Sequence, residues 1–393
     1  MTATPFEKEY GFPRDSVRLD NWRNAPWNVW AFRHISELIP TARIPASSPG
    51  TEEKIDPTAL ISEKVTIAGE SLAIRDILTQ TWTDALVVMK SGRFAADYHA
   101  ANFTMQSRHI MFSSSKSVTG VLAGILKGEG LLDPQAPVSH YVPELTASAF
   151  GDATVRHVLD MRTSLSFTED YGDPRGEFAR YRRAGLLDPQ LPGEKQETLI
   201  EFLASLKKGT GAHGGPFHYC SPNSDVLGLV VERAAGERFA ALAASRLWQP
   251  LELRADGIVT VDIEGSARAG GGLSMTPRDL ARIGEMMRTG GRTGERQVVP
   301  ADWVADTIRG GDAAAWRNGS FAEWLPSGSY RNQWYQTGNA SRAFFALGIH
   351  GQWLYVDPAA EMVIVKFSSQ PFPIKNEAKS LHLALFEIIS GLL

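Results

Sequence analysis

Strand-like signals stand at the two ends of this chain, with helical ones between them. Residues 85–90 and 93–98 read as strands joined by Ser91-Gly92, a two-residue hairpin signal. Residues 352–356 and 362–368 read as two more strands, around Asp357-Pro358. From about 134 to 265 the pattern is helical with loops, as in 155–161, 197–206 and 224–235, and residues 279–288 form a further helix opened by Thr276-Pro277. A C-terminal helix covers 376–390, with Leu381, Leu385, Phe386 and Ile389 on one face. Strands supplied by both ends must meet in one sheet, so the expected fold class is α/β in the α+β sense. It is an antiparallel sheet flanked by helices, with a mostly helical region inserted. Residues 1–135 and 266–393 then form the sheet region and 136–265 the insertion, together one unit. A cleft between sheet and insertion is the natural place for a ligand. Residues 1–60, rich in Pro and Trp, read as an irregular cover with a helix near 28–38, and 170–194 as a long loop.

The sequence Phe112-Ser-Ser-Ser-Lys-Ser-Val-Thr-Gly120 places Ser113 and Lys116 three residues apart, ahead of a helical run through Val118, Val121, Leu122, Ile125 and Leu126. Residues at that spacing share a helix face, so the Lys116 amine can reach the Ser113 hydroxyl. A serine is a poor nucleophile until a base removes its proton, and a nearby cation and a helix N-terminus both favour the alkoxide. Serines are also ordinary helix caps, and Ser114, Ser115 and Ser117 compete for that role. Only Ser113 has the spacing to Lys116. A nucleophile needs partners elsewhere, and two segments offer them. In Phe217-His-Tyr-Cys-Ser-Pro-Asn223, Tyr219 precedes a helix and could accept or pass a proton beside a lysine. In Ala346-Leu-Gly-Ile-His-Gly-Gln352, two glycines permit close backbone approach, so a peptide N–H there could join that of Ser113 around an oxyanion. His350 in that segment reads as a residue that bonds the turn or titrates.

Composition narrows the class. Forty Lys and Arg against 44 Asp and Glu give a net charge of −4, with no basic excess for nucleic acid and no charge block for a membrane surface. No run of 18 apolar residues occurs, and the first ten residues lack the pattern of a secretory signal. The single cysteine, Cys220, cannot form an internal disulfide and reads as a small buried filler. Together these favour a cytoplasmic protein. The nine histidines show no metal-ligand spacing, and Gly270-Gly-Gly272 does not open a phosphate-binding turn, so neither metal nor cofactor is expected.

Ser113-x-x-Lys116, the Tyr219 turn and the late glycine-bearing strand, in that order, resemble the serine β-lactamase and penicillin-binding-protein superfamily. The resemblance is to its class C and carboxylesterase branch, nearest the nylon-oligomer hydrolases. It extends over nearly the whole chain and includes Val158-Leu-Asp-Met161, Glu169-Asp-Tyr171, Tyr219-Cys-Ser221 and Gly348-Ile-His-Gly-Gln352. The resemblance implies a β-lactamase-like fold and a serine hydrolase that cleaves small esters or linear amides through an acyl-enzyme. It implies Ser113 as nucleophile, Lys116 as its activator and Tyr219 as proton relay. The backbone N–H groups of Ser113 and Ile349 would form the oxyanion hole, with Tyr171, Gly270 and His350 at the substrate. Ala346-Leu347-Gly348 stands where the superfamily has Lys-Thr-Gly, so the cation that anchors a β-lactam carboxylate is missing. Arg180, Arg182 and Arg183 are expected near the cleft, favouring an anionic or neutral substrate. The partners expected are small molecules, with a homodimer admitted. The rival reading is a penicillin-binding-like protein that binds an acyl or peptide ligand without hydrolysis.

Overall fold

The computed structural model describes residues 3–50 and 52–393; Met1, Thr2 and Thr51 lie outside it. The main sheet begins with the hairpin β1 (Thr83–Lys90) and β2 (Arg93–His99). Its turn residues Ser91 and Gly92 both have positive φ, 49° and 79°, the geometry that matches the twist of paired strands. Then come helices α1 (Ser115–Gly128), α2 (Glu177–Ala184), α3 (Pro222–Ala235) and α4 (Pro277–Arg288). The chain returns through β3 (Ser329–Arg331), β4 (Trp334–Gln336), β5 (Phe344–Gly348), β6 (Gln352–Asp357) and β7 (Met362–Ser368), and ends in α5 (Asn376–Leu392). The seven strands lie in the order β3-β4-β5-β6-β7-β1-β2, antiparallel throughout. Both chain ends thus build one sheet, as the sequence predicts.

Helices cover both faces of this sheet, which is why β1 and β7 are runs of apolar residues without alternation. Val87, Leu354, Val363 and Val365 pack on one face with α1 and α4, through Val118, Val121, Leu280 and Ile283. Leu86, Trp353, Tyr355 and Ile364 pack on the other with Leu385, Phe386 and Ile389 of α5.

A second, four-stranded antiparallel sheet has the spatial order Thr41–Ile44, Gly257–Thr260, Leu273–Met275, His109–Ile110. Its strands have two to four residues, too few to give a pattern in sequence. It matters because it brings the segment before Ser113 against the segment after Gly272, with Met111 N–H donating to Leu273 O at 2.8 Å. In the stretch 136–265 the regular elements are helices and helical turns, joined by long loops, up to the strand Gly257–Thr260.

Two expected elements differ. The predicted helix 28–38 is one helical turn, Asn28–Ala31, and a 3-10 turn, Ile35–Glu37. Trp30, Phe32, Ile35 and Ile39 are all buried, and no single helix face could hold them. The expected loop 170–194 contains α2, bounded by Gly176 and Gly185. Phe178 and Tyr181, three residues apart, carry it into the core, a spacing obscured in sequence by flanking Gly, Pro and Arg.

Candidate active site

Ser113 lies on a tight 3-10 turn, Phe112–Ser114, that feeds α1. Phe112 has φ of 45°, a conformation that costs a bulky residue about 1–3 kcal/mol. Aromatic packing holds it there: its ring lies 4.9 Å from Phe32, 5.4 Å from His350 and 6.0 Å from Trp22, centre to centre. The N-terminal cover is therefore the wall behind the nucleophile. The neighbouring serines are committed elsewhere. Ser114 Oγ donates to Gln352 O at 3.4 Å, Ser115 Oγ accepts from Leu273 N at 3.1 Å, and Ser117 Oγ donates to Gln333 O at 2.7 Å, all buried. Of the four, Ser113 alone borders the cleft.

Lys116 is buried, and its three ammonium hydrogens have three acceptors: Ser113 Oγ at 2.9 Å, Ser221 Oγ at 3.0 Å and Gly270 O at 2.7 Å. A second tier fixes those acceptors. Gly270 N–H donates to Asp225 Oδ1 at 2.7 Å, while Asp225 Oδ2 accepts from the Tyr181 hydroxyl at 2.5 Å and pairs with Arg268 at 3.4 Å. Ser221 N–H donates to the Glu169 carboxylate. A side chain at Gly270 would be tight: its Cβ would stand 3.2 Å from Asp225 Oδ1, Ser221 O and Ser224 Cβ, which would each have to give by a few tenths of an ångström. The glycine run thus holds the lysine by a main-chain carbonyl. Removing the Asp225 carboxylate would strand Arg268 as an unpaired buried charge. Asp225→Ala is expected to lower stability by about 3–5 kcal/mol, read as a shift of the urea unfolding midpoint. A shift under 1 kcal/mol would show that this pair does not hold the site.

Tyr219 borders the cleft, with Lys116 Nζ 5.2 Å from its ring centre; its hydroxyl makes no direct hydrogen bond to Ser113 or Lys116. Tyr171 packs edge-on to Phe178 at 4.7 Å, and burial, reinforced by Glu169, holds its phenol well above the usual range, so it remains a proton donor. The backbone N–H groups of Ser113 and Ile349 find no acceptor among the described residues. Gly348 makes their approach possible: a Cβ there would meet Met111 O at 2.3 Å. His350 is buried, its Nδ1 2.7 Å from Gln370 O, and burial pulls its pKa down to about 4. The ring is neutral and locks the turn that presents Ile349.

The cleft has two arms that share Ser113, Tyr171 and Ile349. One, of about 400 Å³, runs past Tyr219, Trp324 and Trp353; the other, of about 300 Å³, runs past Trp22, Arg182, Ser221 and Gly270. The arginine expectation needs correcting. Arg180 and Arg183 border a separate groove, not the cleft. All three arginines are paired: Arg180 with Glu197 at 2.5 Å, Arg182 with Asp188 at 2.6 Å, Arg183 with Glu194 at 3.5 Å. Arg182 shares its one carboxylate, Asp188, with Arg23, and both arginines line the smaller arm, so one positive charge there is left without its own counter-ion.

Ser221, Glu169, Asp225 and Arg268 form the supporting tier and were not identified from sequence. Ser221 had a signal, standing two residues after Tyr219. Asp225 reads in sequence as a helix-start acid, and its partner Arg268 lies 43 residues on. Cys220 is buried, and its thiol is pushed well above its usual range by burial. Among the described residues no group of three or more His, Cys, Asp or Glu could hold a metal, and no helix is long and apolar enough to cross a membrane.

The sequence model of the Beta-lactamase family matches residues 74–386. The chain is 39% identical over 355 residues to the 6-aminohexanoate-dimer hydrolase of Paenarthrobacter ureafaciens, covering 90% of this chain and 88% of that one. Among solved structures, "Putative 6-aminohexanoate-dimer hydrolase from Bacillus anthracis" superposes with a TM-score of 0.85 at 24% identity, over 97% of this chain and 98% of that one. A family VIII carboxylesterase gives 0.58 at 15% identity, over 77% and 93%. These two show the fold; the sequence matches show the family. On these sequence matches the chain belongs to the beta-lactamase family and is a serine hydrolase.

Proposed function

We propose that this hydrolase cleaves small carboxylic esters or linear amides through an acyl-enzyme on Ser113. The observation that carries the reading is the Lys116 amine 2.9 Å from Ser113 Oγ, with Gly270 O and Ser221 Oγ as its other partners. Gly270 O and Ser221 Oγ hold the Lys116 amine in place against the Ser113 hydroxyl. Ser113 Oγ then attacks the substrate carbonyl carbon and its proton passes to the Lys116–Tyr219 pair. The N–H groups of Ser113 and Ile349 receive the oxyanion. The tetrahedral species collapses by breaking the C–O or C–N bond, and the leaving atom takes a proton relayed through Tyr219. Tyr171, held protonated, donates to that leaving group. Water attacks the acyl carbon, its proton returns along the same path, and the acid leaves with Ser113 restored. The relative's printed name, a hydrolase of 6-aminohexanoate dimer, supports linear amides as one substrate class.

A fluorophosphonate probe tests this against binding without hydrolysis. The intact mass should rise by one phosphonyl group, and peptide mapping should place it on Ser113; an unlabelled protein would sink the reading. A substrate panel tests the class. With alanine at position 346, short-chain p-nitrophenyl esters should be turned over readily and penicillins poorly or not at all. Faster turnover of a penicillin would overturn it.

A further inference from the structure

The smaller arm of the cleft has a one-sided charge. Its charged lining residues are Arg23, Arg182 and Arg268, and no Asp or Glu borders it. Among the described residues, Arg268 has the buried Asp225 carboxylate to itself. Arg23 and Arg182 share theirs. The one acid that pairs with either is Asp188, whose Oδ1 pairs with Arg23 and whose Oδ2 accepts from Arg182 Nε at 2.6 Å. Burial opposes the charge on Asp188, but the two guanidiniums outweigh it and hold the carboxyl below its usual range. Both guanidiniums stay protonated, so two positive charges meet one negative charge here.

The unmatched charge is within reach of a ligand. Arg182 comes from α2 and Arg23 from the N-terminal cover, and their side chains are 14% and 21% exposed. Arg23 spends its guanidinium on Asp188 and, at 3.0 Å, on Leu187 O. Arg182 spends only Nε: its two terminal nitrogens make no hydrogen bond with any described residue, and neither is enclosed. The Phe178 ring, 4.9 Å from the guanidinium carbon, steadies this planar fork, whose geometry matches a carboxylate. Tyr219, the relay to the leaving atom, borders the larger arm and not this one. The leaving group therefore belongs in the larger arm and the acyl part in the smaller, whose volume of about 300 Å³ admits a short acyl group.

We propose that Arg182 selects the acyl group by charge, so that the preferred substrates are half-esters or half-amides of short dicarboxylic acids. The proposal rests on the hydrolase reading and adds to it the charge of the acyl part. Arg23 is the positioning partner: it occupies one oxygen of Asp188 and leaves the outer edge of Arg182 uncompensated. The anion enters with the acyl group, on the other side of the scissile bond from the leaving group. An acyl group bearing an ammonium is repelled.

Steady-state kinetics on matched esters test it. The monoethyl esters of succinic and glutaric acid are set against ethyl succinamate and ethyl glutaramate, equal in shape and neutral. For the better of the two anions, kcat/KM should exceed that of its amide about tenfold or more, the size of one charge-assisted contact. Arg182→Gln leaves Arg23 and Asp188 as a balanced pair, so the fold should hold and the preference should vanish. Arg182→Lys should keep part of it. The ratio within each pair cancels any general loss of activity and reads charge alone. Equal rates for acid and amide, a faster amide, or a preference that survives Arg182→Gln would each overturn the subsite. The hydrolase reading is judged separately, by fluorophosphonate labelling of the wild-type protein. Labelling of Ser113 with no turnover of any of the four esters would sink the subsite alone.

Discussion

Ser113→Ala is expected to abolish acylation, lowering turnover of p-nitrophenyl acetate by about 10⁴-fold or more and preventing fluorophosphonate labelling. The prediction depends on geometry that separates Ser113 from its three serine neighbours. It alone borders the cleft and receives the Lys116 hydrogen bond, at 2.9 Å, while Ser114, Ser115 and Ser117 spend their hydroxyls on main-chain partners. Their loss should be felt in folding. Ser115→Ala leaves Leu273 N–H without its acceptor and should cost roughly 1 kcal/mol, with kcat largely retained. Ser114→Ala, whose bond is long at 3.4 Å, should cost less. Steady-state kinetics and urea unfolding on the three variants separate chemistry from stability. Full activity in Ser113→Ala, or loss of activity in Ser114→Ala with folding intact, would overturn the assignment.

The candidate site was legible in sequence because it rests on short local patterns. The three-residue spacing of Ser113 and Lys116 survives as a direct bond, and the glycines around Ile349 mark the close approach that frees its N–H. The main sheet was legible because its long strands are buried on both faces and read as apolar runs. What escaped depends on distant pairing. The second sheet is made of strands of two to four residues from four separate parts of the chain. Arg180 and Arg183 pair with carboxylates 17 and 11 residues away and border another groove, while Arg182 shares Asp188 with the distant Arg23, a pairing no local pattern announces. Gly270 lines the smaller arm, as expected of a substrate residue, and its carbonyl in addition bonds to Lys116. That role belongs to the main chain, and side-chain chemistry does not announce it.

Lys116→Ala and Tyr219→Phe are each expected to lower turnover by roughly a hundredfold or more, the range for lost general-base or general-acid help. Lys116 sits at the junction of three acceptors, so its loss leaves Ser113, Ser221 and Gly270 O without a shared donor. Tyr219 faces the same lysine across its ring, 5.2 Å away, and makes no bond to Ser113. Its contribution should therefore lie with the leaving group, and it should be larger for an amide than for a p-nitrophenyl ester, whose phenolate leaves without a proton. If the two share one proton path, the double variant should lose much less than the product of the single losses. A double-mutant cycle on one ester and one linear amide reads this directly, with circular dichroism to confirm folding of each variant. Losses that multiply independently would mean that the two residues do not share a proton path. A Tyr219→Phe effect equal for ester and amide would move the tyrosine from the leaving group to the nucleophile.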